Sequence, residues 1–315
     1  MSPDWARLRV LAGAVVPLLL VVLAGAGILA DRSNGRPAHP TCLSGRGDRI
    51  QVTGSRSDTY SNGGLDRTTV VDARNAHWSG EHNYAVELSG DGRVCLSGGR
   101  IKGQWPSDTG WKTMHGTGAV LVDAPGATVE DLRVDAYGDS IRLLDRTQNF
   151  LVRRVHLSYS RDDCIENDWL HSGTVRDSLL DGCYNAFSSR SYDGQDNLDN
   201  GDHNTWTIKN TLVRLRPMPR PYEDKGRIPG TAGFFKWDDH GPKLSLTGNI
   251  FRADQPANTV GLTIPPGKLA HCSHNVMVWL GKGPYPGRLP SCFKVTRDVR
   301  VWDRAVARWT KRYGS

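Results

Sequence analysis

Six side chains in the middle of this chain have the types and the spacing that glycosidic chemistry needs: Asp139, Asp162, Asp163, Glu166, Arg190 and Lys236. Cleaving a glycosidic bond takes two carboxyl groups, one kept protonated to serve as acid and one ionised to activate water. Carboxyls held close together raise one another's pKa and so separate into those two roles. Cations beside them can hold an acidic sugar. Asp and Asn also populate turns because their side chains cap local backbone groups, which is the ordinary explanation of any one of these aspartates.

Such residues can meet only if the fold brings them together, and the surrounding sequence has a loose internal repeat that would do so. Residues 118–139, 140–163, 164–185 and the segment from 186 onward each begin with a short apolar-alternating stretch, turn, and resume in a second stretch at 127–134, 149–157 or 172–180. Period-2 alternation inside units of this size is the mark of stacked β coils. The series continues at 204–215, breaks for a proline-bearing excursion at 217–229, and resumes at 233–239, 243–251, 260–266 and 274–280. In a parallel stack, equivalent positions of successive coils lie ~4.8 Å apart. Placing Ile141, Ile165, Phe187 and Phe235 inward then puts Arg142, Glu166, Ser188 and Lys236 in one outward column, with Leu144, Asp168, Arg190 and Asp238 in a second.

These residues carry a family resemblance. Tyr137-Gly-Asp139-Ser-Ile followed by Asp162-Asp163-Cys164-Ile165 resembles the Asn-Thr-Asp and Asp-Asp-Cys-Ile segments of the polygalacturonases, inverting glycoside hydrolases of the pectin-lyase-like β-helix superfamily. The resemblance covers roughly residues 118–250. It implies a right-handed parallel β-helix, with Asp139 and Asp162 or Asp163 as acid and water-activating carboxylates. It places Lys236 on the substrate carboxylate and pairs Cys164 with Cys183. Two positions depart from the family: Tyr184 stands where its Gly-His-Gly has histidine, and Phe234 where an arginine precedes the lysine. Arg190 can partly replace that arginine, and Glu166, Trp169 and Tyr184 complete the expected substrate-binding set.

The expected fold is all-β, a right-handed parallel β-helix over residues 42–296. A basic segment at 297–315, with Val299, Trp302, Val306 and Trp309 at helical spacing, is expected to cap the last coil, since an open sheet edge needs cover. Residues 8–30 form an uncharged, largely apolar run behind Arg7 and Arg9, long enough to span a bilayer core of ~30 Å. Residues 1–30 are thus a transmembrane signal-anchor or, given Ala24-Gly25-Ala26, a cleavable signal peptide. A polar linker, residues 31–41, follows. Either version exports the domain, and six cysteines, all beyond the apolar run, suit an oxidising compartment.

The remaining patterns mostly exclude. No cysteine spacing suggests zinc, no Gly-x-Ser-x-Gly elbow a serine nucleophile, and no phosphate loop a nucleotide. A net charge of +7 attracts polyanions, but no nucleic-acid-binding motif accompanies it. The loop with Asp193, Asp196, Asp199 and Asp202 before His203 could hold Ca²⁺ for a lyase or simply be solvated. No other cofactor is expected. Trp169 and Trp237 could stack on sugar rings, and His115, His156 and His240 have no partner that spacing identifies. The chain is therefore expected to be a membrane-anchored or secreted monomer with its domain outside the cell. Its partner would be an acidic polysaccharide, cleaved by hydrolysis or elimination, or bound without cleavage.

Overall fold

Short strands with one apolar face cannot bury that face alone, and stacking rung on rung buries all of them in one continuous core. The computed structural model describes residues 41–81, 83–191, 200–219, 230–257 and 260–314. The anchor or signal segment, the linker up to residue 40 and the loop positions Asp193, Asp196 and Asp199 lie outside the described residues. Among the described residues, 22 strands form a single sheet in which every ladder between strands is parallel, wound into a parallel β-helix. No helix among them is long and apolar enough to cross a membrane.

Each coil from Tyr84 to Ala253 contributes three strand segments, one more than the sequence pattern suggested. The first face stacks Tyr84–Ser89, Gly118–Asp123, Asp139–Leu143, the end of His156–Glu166, the end of Leu179–Ser189, and Gly233–Trp237. The second stacks Val94–Ser97, Thr128–Glu130, Phe150–Arg153, Gly173–Arg176, Thr205–Lys209 and Lys243–Thr247. The third begins a residue or two later, as in Arg133–Asp135 or Leu212–Leu215. What divides the supposed second stretch is one left-handed residue per coil: Asp131, Arg154, Asp177 and Asn210 all have φ between 50° and 57°. Asp and Asn tolerate this conformation through local hydrogen bonds, so the corner is written in residue types that also read as polar surface.

The register matches the inward column and the first outward column. Ile141 pairs with Ile165, Ile165 with Phe187 and Phe187 with Phe235, which sets Arg142 beside Glu166, Glu166 beside Ser188 and Ser188 beside Lys236. The inward residues join a core in which Phe150 and Phe187 meet Trp206 edge-on at 5.5 and 5.6 Å. Residues 260–266 form no strand, only a bridge from Gly261 to Gly233, because Pro265 and Pro266 lack ladder donors.

The terminal helix spans Arg300–Tyr313. Its buried Trp302, Ala305 and Trp309 pack on an apolar stripe of the third face, Leu179, Leu212 and Val278 with Ile250 and Val276 beside them. It therefore covers the flank of several rungs along that stripe. The cysteines pair as Cys42–Cys95, Cys164–Cys183 and Cys272–Cys292.

Candidate functional site

The strand His156–Glu166 leaves the third face, turns a corner and continues on the first face of the next coil. At that corner Tyr159 is left-handed (φ 52°), and the register to Leu179–Ser189 shifts between Ser160 and Asp163. That shift is one extra residue, a bulge, and bulges re-aim side chains. It lets the consecutive Asp162 and Asp163 both line one cleft of about 480 Å³.

Asp163 is fully buried. Its Oδ1 accepts the Asn185 amide at 2.7 Å and its Oδ2 the Lys236 ammonium at 3.1 Å. Burial pushes its carboxyl up to about 6, with Asp162 and Asp168 adding to the rise and Lys236 opposing it. Asp162 faces the other way energetically. Burial would raise it, but the imidazole of His115 at 3.2 Å, the Lys236 charge and the Trp111 indole N–H at 3.2 Å hold it below the usual carboxylate range. The hydrogen bond to Asp162 in turn raises His115 above the ordinary histidine value. Burial also pushes Asp168 up to about 6, helped by Glu166, while the Ser188 hydroxyl at 2.7 Å counteracts the rise.

Asp139 sits behind this wall and is fully enclosed. Its Oδ1 accepts the Asp163 backbone N–H at 2.9 Å and its Oδ2 lies 3.3 Å from Arg142 Nε. Burial, with Glu166 and Asp162 nearby, pushes it well above the usual range. Arg142 also donates to Glu166 at 2.8 Å and to the Tyr84 hydroxyl at 2.9 Å. Carboxylate oxygens of Asp139, Asp163 and Glu166 come within 4.8 Å of one another, a spacing that could suit a metal ion. Arg142 and Lys236 already supply the countercharge there. Burial would lower Lys236, yet Asp163, Asp162, Asp168 and Glu166 hold it firmly protonated.

Of the residues expected from sequence, Asp162, Asp163, Glu166, Tyr184, Arg190 and Lys236 line the cleft together. Asp139 supports it from behind. Trp169, half-buried in the turn after Glu166, is outside the cleft lining, and Trp237 packs on Trp206 at 5.3 Å. Phe234 is buried in the core. Asp202 pairs with Lys268 at 3.0 Å and His240 at 3.3 Å, both away from the cleft lining.

The partner of Asp162 was not foreseen. Trp111 and His115 belong to a helical turn, Trp111–Met114 and the residue after it, and their rings stack at 4.6 Å. Nothing in their spacing connects them to an aspartate 47 residues on. What seats the turn is Gly138: a Cβ there would lie 1.8 Å from the Met114 carbonyl oxygen. Neither a protein-family model, nor a curated protein, nor a solved structure matches this chain.

Proposed function

We propose that the protein hydrolyses glycosidic bonds of an acidic polysaccharide outside the cytoplasm. The reading is carried by one observation: adjacent carboxyls in one open cleft have environments that drive their protonation apart, Asp163 up to about 6 and Asp162 below the usual range. Pairs tuned in this way divide into acid and base. Asp163 is assigned the proton for the departing glycosidic oxygen, and Asp162 takes one from the attacking water. Arg190 and Lys236 are the cations for a sugar carboxylate, and His115 steadies the ionised Asp162. The resemblance of the Asp-Asp-Cys-Ile segment to polygalacturonases puts Asp162 or Asp163 among the catalytic carboxylates, although it pairs that residue with Asp139, and His115 brings to the cleft an imidazole from a different part of the chain. Three disulfides suit an oxidising compartment outside the cytoplasm.

A second reading, a cleft that grips glycan without cleaving it, is favoured by the enclosed Asp139 and its bond to the Asp163 backbone. One experiment separates them. The full chain is incubated with a panel of uronate-containing polysaccharides, with and without Ca²⁺, and scored for reducing ends and unsaturated products. Reducing ends alone, abolished in Asp162→Asn and Asp163→Asn, support hydrolysis. Unsaturated products indicate elimination, and binding without either product leaves the gripping cleft.

A further inference from the structure

On the third face, four successive rungs stack basic side chains in one outward column. His77 pairs with Arg100, Arg100 with Arg133, and Arg133 with His156. Neighbours on a ladder stand ~4.8 Å apart, and like charges directly opposite one another destabilise a sheet. The adjacent column adds Lys102, next to Asp135, which accepts the Ser158 hydroxyl at 2.8 Å. Among the described residues, His77, Arg100 and Lys102 make no ion pair.

The column floors a groove of about 520 Å³ at the end of the terminal helix, away from the first-face cleft. Arg133 is held in place there. Its guanidinium donates to the carbonyls of Leu132 at 3.0 Å, Arg154 at 2.9 Å and Tyr313, and it lies 5.3 Å from the Trp309 ring centre. Burial, together with the Arg100 charge, pulls Arg133 below its ordinary value, although Asp131 opposes this. Burial and the Arg133 charge do the same to His156. The positive charge of the groove is therefore carried by Arg133 together with Arg100 and Lys102, which with His77 are exposed on its rim.

We propose that the groove is a second binding site, which takes carboxylate groups of an acidic polysaccharide laid along the rungs. The column runs along the stack, as a linear polyanion would, and an oxyanion between neighbouring cations relieves their repulsion. The choice of polymer rests on the function proposed above, whereas the site itself does not depend on cleavage.

The test measures binding of oligogalacturonate to the full chain by calorimetry at several salt concentrations, in the Asp163→Asn background to prevent turnover. Arg100→Ala/Lys102→Ala changes two exposed side chains outside the cleft, and an unchanged melting temperature certifies the fold. The expected result is an affinity about ten-fold weaker and a slope of log Kd against log salt reduced by about 2. Inorganic phosphate should compete with the oligomer for the groove in the parent and not in the double variant. Unchanged affinity and slope would overturn the proposal. So would binding of a glycerol-phosphate polymer but not oligogalacturonate through these two residues, or oligogalacturonate binding that disappears in Lys236→Met and survives in the double variant. If no polysaccharide is cleaved but the groove still binds the oligomer, the hydrolase reading fails and this site stands.

Discussion

Asp162 and Asp163 are neighbours in the chain and opposites in electrostatics, because one meets an imidazole and an indole N–H while the other, with its carboxyl desolvated, meets a buried amide and one ammonium. If Asp163 is the acid, its proton must be present, so activity is highest below the pH where it titrates. A pH–rate profile should fall on the alkaline side at about 6. Asp163→Asn should lower turnover about a hundred-fold or more and abolish that limb. The acid limb belongs to Asp162. His115 lowers the Asp162 pKa, so His115→Asn should let that pKa rise and move the acid limb to higher pH, leaving the alkaline limb in place. An alkaline limb that moves with His115 instead would reverse the two assignments.

At the scale of elements, the site depends on a turn held by the absence of one side chain. Gly138→Ala would drive its Cβ into the Met114 and Thr117 carbonyls at 1.8 and 2.6 Å, so the turn bearing Trp111 and His115 must shift. Gly116→Ala, whose Cβ would lie 3.5 Å from the Thr113 carbonyl, is the matched control. Activity and thermal midpoint should drop in the first variant and hold in the second. The terminal helix makes a separate contribution. Trp309 is 6% exposed and donates its indole N–H to the Asp177 carbonyl at 2.7 Å. Trp309→Ala should therefore cost about 3 to 5 kcal/mol in denaturant unfolding, without altering the pH dependence of activity.

The β-helix is close to one-dimensional, since each rung rests on its neighbours and unravelling can start wherever a rung is weakly held. The three disulfides are distributed against that failure: Cys42–Cys95 near the first rungs, Cys164–Cys183 beside the cleft and Cys272–Cys292 near the last. The last closes a separation of 20 residues, for which chain entropy gives a stabilisation of about 3 kcal/mol. Replacing both of its cysteines with alanine should raise hydrogen exchange first in Asn275–Trp279 and Phe293–Thr296, with the central rungs keeping their protection.

Alternation of apolar and polar residues was enough to announce stacked strands, and the spacing of Ile141, Ile165, Phe187 and Phe235 was enough to set their register. A ladder repeats locally, so its spacing is visible in the chain itself. The third strand of each coil was not legible, because a single left-handed Asp, Arg or Asn separates it from the second. Nor was the pairing of His115 with Asp162, which joins an irregular turn to a corner bulge across unrelated spacing. The sequence alone could list the acids and cations. Which carboxyl keeps its proton was decided by burial and by neighbours that only the tertiary structure assembles, since desolvation and Coulomb interaction depend on distance in space rather than along the chain.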